Sequence, residues 1–191
     1  MREGWKVADS PKRHIIAVDP GDKNNGIAYF TQEGNGPTGS ADLKFMQIEG
    51  PKGLSDLLKF IWGIFQAKET TDGYDKFRNN PHNLFFVIEN FRVDTVSRGG
   101  RDSSRFQWNE MLTSQMIGRV RLLAEWLEAP VFMQEPSSVW PMARKWAPFP
   151  LPKGHPPDDK SAFCHGAKFM MDKGLINTVD QITFNGQDKM F

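Results

Sequence analysis

Residues 14–31 read HIIAVDPGDKNNGIAYFT, and this stretch decides the fold. Residues 14–19 form a short β-branched apolar run stopped by Pro20-Gly21, the pattern of a strand feeding a turn. Residues 26–31 make a second run, close enough to pair back as a hairpin. Working outward, residues 43–48 (LKFMQI) alternate apolar and polar and predict a third strand with one buried face. Leu54, Leu57, Leu58, Ile61, Trp62 and Phe65 then fall at helical spacing. Residues 84–89 (LFFVIE) are almost continuously apolar, which suits a strand covered on both faces. A long helix follows, with Trp108, Met111, Leu112, Gln115, Met116, Leu123, Trp126 and Leu127 on or beside one stripe. Residues 131–134 predict a strand entered through Pro130, and residues 137–146 a helix. A Pro-rich loop leads to a last helix over 158–173, closed by Gly174. Three opening strands and then alternating helices and strands imply an α/β protein. Its core is a mixed five-stranded sheet, a three-strand antiparallel opening plus two parallel strands, with helices on its faces.

The 191 residues suit one domain. We read residues 1–12 as a flexible arm, 13–173 as the folded domain and 174–191 as a weakly patterned tail. With 39% hydrophobic and 12% aromatic residues the chain can build a sizeable core. Lys and Arg number 24 against 23 Asp and Glu, so any basic surface has to be local. A single cysteine, Cys164, excludes a disulfide framework and a Cys-rich zinc site. The apolar runs are too short to cross a bilayer, and MREGWKVADS has no apolar signal core. The expected setting is a reducing cytoplasm.

Residues 34–39 (GNGPTG) match GxGxxG in letters, but they contain Pro37 and lead to a strand. Without a helix N-terminus they offer no pyrophosphate site, and no P-loop is present; no nucleotide cofactor is expected. The carboxylates carry more. Asp19 ends the first strand, Glu89 ends the buried fourth, and Asp158 and Asp159 open the last helix. If strands one and four are parallel neighbours, both acids emerge at one edge of the sheet. Clustered carboxylates repel one another unless cations neutralise them. Hard oxygen ligands suit Mg²⁺ or Mn²⁺, and a pair of such ions can drive phosphodiester hydrolysis. Each acid also has a simpler reading. Asp19 can form an Asx turn, Glu89 can pair with Arg92, and Asp158 and Asp159 can serve only the helix dipole. Asp158, Ser161 and His165 share one helical stripe, from which Asp159 is rotated; His165 can equally be a packing histidine.

Arg92, Arg98, Arg101, Arg105 and Arg119, with Phe106 and Trp108 between them, make the second constellation. Beside a metal site they would hold phosphates and stack on bases; a solvated charged loop is the other reading.

Together these residues resemble the RuvC-type Holliday junction resolvases of the RNase H-like superfamily. IIAVDPGDKNNGIAYF is similar to the first motif of that family, FFVIENF to the second and DDKSAFCHGAKF to the third, over residues 13–172. The resemblance implies a metal-dependent, structure-selective endonuclease that cuts four-way or other branched DNA as a homodimer, serving recombination and repair, in a phage-type member. By position, Asp19 would bridge two ions, Glu89 would bind one of them, and Asp158 would be a third ligand. Ser161 stands where the family has a second Asp, so Asp159 or His165 is the candidate substitute. Two other readings compete. One is a different RNase H-like nuclease acting on RNA–DNA hybrids or flaps; the other is a catalytically weakened nucleic-acid-binding module.

Overall fold

Seven of the eight residues of β1 (Arg13–Pro20) are buried, as a strand needs to be when it has neighbours on both edges and helices on both faces. The computed structural model describes residues 12–21, 24–32, 41–49, 55, 56, 59, 83–90, 103–154 and 156–184. The expected arm at 1–11, most of the helix expected at 54–65 and the loops at 33–40 and 91–102 lie outside them.

β1 pairs antiparallel with β2 (Asn24–Gln32), and β2 pairs antiparallel with β3 (Ala41–Glu49). β4 (Leu84–Glu89) lies parallel to β1 on its other edge, and β5 (Val131–Gln134) parallel to β4. The sheet is the mixed α/β sheet expected, with order β5-β4-β1-β2-β3-β6. It has six strands instead of five. β6 (Ile182–Phe184) comes from the expected tail and runs parallel to β3. Ile176, Val179 and Ile182 are buried in the main core, and the Gln32 side-chain amide donates to the Leu175 carbonyl at 2.8 Å. These short, widely spaced apolar residues have no period of their own, which hid their part in the domain from sequence reading. The folded unit therefore runs through Phe184, past the boundary expected at 173.

Alternation along the strands divides the core in two. Ile16, Val18, Ile27, Tyr29, Phe86 and Ile88 face the helix α1 (Ser103–Trp126), which answers with Met116, Val120, Leu123 and Ala124. Gln115 and Trp126, expected on that stripe, are exposed. Ile15, Ala17, Ala28, Phe30 and Val87 face α2 (Pro136–Trp146) and α3 (Asp158–Asp172). Ala162, Phe163, Ala167 and Met170 of α3 are all fully buried on this face. Two glycines bring α3 down onto the sheet. A Cβ on Gly166 would meet the Phe30 ring at 2.2 Å, and one on Gly26 would meet the Asp158 carbonyl oxygen at 1.9 Å. The strand and the first peptide of the helix are thus in direct backbone contact.

Candidate functional site

Val18 and Ile88 are partners in the parallel β1–β4 ladder, so Asp19 and Glu89 follow as the next residues in register. Neighbouring strands lie about 4.8 Å apart, which sets the two acids side by side at the carboxyl ends of their strands. Both follow the odd-numbered alternation of Ala17 and Val87 and therefore belong to the α3 face. Both are buried, Asp19 to 4% exposure and Glu89 to 6%. The helix N-terminus above them exists because Pro156-Pro157 end the preceding loop and Asp158 and Asp159 suit the first turn's dipole. Gly26 pairs with Asp19 across the β1–β2 ladder, so the backbone contact that seats α3 lies next to Asp19.

One oxygen of Glu89 meets two side chains of α3. The Ser161 hydroxyl donates to Glu89 Oε2 at 2.9 Å. His165 Nε2 lies 3.0 Å from the same oxygen, but not along the line a hydrogen bond requires. On its other side the imidazole Nδ1 is 3.0 Å from Gln134 Oε1 at the end of β5, and the Trp140 indole packs perpendicular to the ring at 84°, centroids 5.6 Å apart. Asn90, just past Glu89, donates to Glu135 at 2.5 Å and locks the ends of β4 and β5 together. Ser161, where an acid was expected from the resemblance, thus acts as a hydrogen-bond donor to Glu89.

The structure brings Asp19, Glu89, Ser161 and His165 to one face and one end of the sheet. Asp159, expected to point sideways, is buried, whereas Asp158 is half-buried. The peptide joining them rests on Gly26. Arg105 belongs to the first turn of α1 and not to a loop, because the helix starts at Ser103. Arg119 is exposed on α1, across the sheet from the acids and about 24 Å along the helix from its start. Arg92, Arg98 and Arg101 lie outside the described residues, as does any Glu89–Arg92 pair.

Buried carboxylates from adjacent strands are the donor chemistry of a hard divalent cation. Among the described residues no three His, Cys, Asp or Glu side chains are grouped to hold a metal ion, so the described site offers carboxylates and an imidazole in pairs. Gln134, Trp140 and Gly26 were missed in the sequence. Gln134 carried a usable signal: like Asp19 and Glu89, it is a polar residue closing an apolar strand. Among the described residues no helix is long and apolar enough to cross a membrane.

No family model matches the chain. No curated protein sequence matches it either. Among solved structures it is similar to Thermus thermophilus RuvC in complex with Holliday junction substrate, at 14% identity and TM-score 0.45, covering 85% of this chain and 97% of that one. A second Thermus thermophilus RuvC structure matches at 14% identity and TM-score 0.41 over the same shares. The yeast mitochondrial Holliday junction resolvase Ydc2 matches at 10% identity and TM-score 0.40, covering 96% of this chain and 69% of that one.

Proposed function

We propose that the chain is a divalent-metal-dependent, structure-selective DNA endonuclease that hydrolyses phosphodiester bonds in four-way junctions or related branched DNA. One observation carries the reading. Asp19 and Glu89 are buried side by side at the carboxyl ends of parallel β1 and β4, beneath a helix that opens with two further acids. Two buried carboxylates in that position require a positive partner. Asp19 and Glu89 would hold Mg²⁺ or Mn²⁺, one ion or two, with Asp158 as a further ligand. A cation there neutralises the acids and the scissile phosphate and lowers the pKa of bound water. Ser161 keeps Glu89 oriented, and Gly26 lets the backbone of the helix start come down beside Asp19. Arg92, Arg98 and Arg101 follow Glu89 closely in the chain and would meet the DNA backbone, with Arg105 at the start of α1. A homodimer would cut the two strands of a junction symmetrically.

The second reading is a nucleic-acid-binding module with weakened catalysis. It is favoured by Ser161 in the place of an acid and by the lack of a three-donor group among the described residues. Incubation with a synthetic four-way junction, with Mg²⁺, with Mn²⁺ and with chelator, separates the two. Paired nicks that need metal and vanish in Asp19→Asn support the nuclease. Tight junction binding without cleavage under every metal condition supports the module, and preferential cleavage of an RNA–DNA hybrid would replace the junction as substrate.

A further inference from the structure

We infer that the outward face of α1 is the contact through which two copies of this chain pair antiparallel about a twofold axis at Leu122. The inference needs nothing of the cleavage chemistry; it gives the homodimer of the proposed function a surface. Met116, Val120, Leu123 and Ala124 turn one side of α1 to the sheet. The side turned away should then be polar, as on an ordinary surface helix. Gln115, Gly118, Arg119, Leu122, Glu125 and Trp126 are all exposed and lie within about 60° of Leu122 around the helix. Their spacing by three and four residues is that of the seam in a helix pair. Within this face Leu122 and Trp126, one turn apart, leave 66% and 57% of their surface in solvent. Gly118 is an independent sign. Glycine weakens a helix interior, and at Gly26 and Gly166 it is required because a carbonyl or a ring stands where a Cβ would be. A Cβ on Gly118 would meet nothing within 4 Å, so no packing among the described residues calls for glycine there. A notch for a side chain of another molecule does.

Self-complementarity names the occupant. In an antiparallel pair centred on Leu122, each residue before the centre comes level with the residue equally far after it. Leu122 meets its own counterpart, and Gly118 and Arg119 come level with Glu125 and Trp126 of the second copy. The notch then admits an indole, and the guanidinium lies within reach of a carboxylate and an aromatic ring. The twofold axis repeats both arrangements at the other end of the contact. Trp and Arg are also the side chains that most often dominate the energy of such contacts. A nucleic acid fits this face less well, because Glu125 and Leu122 occupy its middle and a carboxylate repels phosphate.

Sedimentation equilibrium of the full chain without DNA provides the test. The wild type should exchange between monomer and dimer with a dissociation constant on the order of micromolar, as suits a contact at the small end of specific interfaces. Leu122→Glu sets like charges against each other at the axis and should leave a monomer. Trp126→Ala should weaken pairing roughly tenfold or more. Arg119→Glu and Glu125→Arg should each weaken it, and the double variant should restore it. The two positions are six residues apart on one helix and do not face each other there, so rescue reports contact between copies. Gly118→Gln should raise the unfolding midpoint of the monomer while weakening the pair, opposite signs that a role in folding alone would not give. A wild type that stays monomeric at every concentration overturns the inference, and junction cleavage by that monomer would leave the nuclease reading standing. A dimer that none of these variants weakens also overturns it, because the contact then lies on another face. Loss of junction affinity by Arg119→Glu and Trp126→Ala in a chain that never dimerises would assign the face to nucleic acid instead.

Discussion

Under α1 the sheet presents Ile16, Val18, Phe86 and Ile88, and the buried polar pair described on that side, His14 and Tyr29, satisfies itself through a 2.6 Å hydrogen bond and stacked rings. Burial raises the Tyr29 hydroxyl far above its ordinary pKa, so the phenol keeps its proton. Under α3 the same two strands present Ala17 and Val87 and then, at their carboxyl ends, Asp19 and Glu89, two acids buried almost as deeply as the apolar residues before them. The strands are common to both faces; the coverings differ. α1 brings Met, Val, Leu and Ala to the sheet, while α3 brings a dipole-positive end, a serine donor and an imidazole. A sheet can carry an inert core and a charged site on its two faces when the helix opposite each decides which groups are satisfied.

The largest effect expected from breaking this contrast is at Asp19. Asp19→Asn should lower metal-dependent cleavage by roughly a thousandfold or more, equivalent to several kcal/mol of lost charge stabilisation. Junction affinity and the circular dichroism spectrum should stay as in the wild type. Next comes the backbone contact that seats α3. In Gly26→Ala the new methyl would overlap the Asp158 carbonyl, a backbone group that cannot swing aside. A loss of about 3 kcal/mol in urea unfolding is expected, accompanied by loss of cleavage. Equal activity in a folded Gly26→Ala would detach the helix end from the site.

Leu123→Ala tests the other face. It should cost about 2–4 kcal/mol through the cavity left beneath α1, yet leave turnover per folded molecule unchanged. The smallest effect concerns Cys164, whose thiol is pushed up to about 12 by burial on α3. At pH 8 it should resist thiol reagents until the chain unfolds, since only roughly one molecule in ten thousand would carry the thiolate. The sign follows from the raised value. This group's contribution to stability is complete below the ordinary thiol range and is lost as the pH climbs towards 12. Rapid labelling of the native protein at pH 8 would contradict the burial.

The five expected strands were legible because each is an apolar run punctuated by Pro, Gly or a charge, and β4 and β5 were read to the residue. The start of α3 was equally plain, since Pro156-Pro157 admits no earlier one. Asp19 and Glu89 stood out as acids ending buried strands. The partners of Glu89 were harder to see. Its contacts with Ser161 and His165 depend on how far α3 drops toward the sheet, and that height is set by Gly26 and Gly166, whose close approach to Asp158 and Phe30 joins residues far apart in the chain. Arg119 was grouped with the loop arginines by closeness in the chain, whereas the helix carries it away to the opposite face.

β6 has a consequence for how the chain acquires its fold. β1, β2 and β3 can zip up from neighbouring segments, but the partner that covers the outer edge of β3 arrives only about 130 residues later. Until then the nascent sheet carries an open row of amides and carbonyls, the template on which unrelated chains can add strands. Three residues, Ile182–Phe184, close part of that row, and Ile182 and Ile176 enter the core with them. The segment that looked least structured thus acts as a late-arriving guard against misassembly, and a ribosome stalled before residue 182 would release a chain whose site-bearing strands are formed but whose edge is open to association.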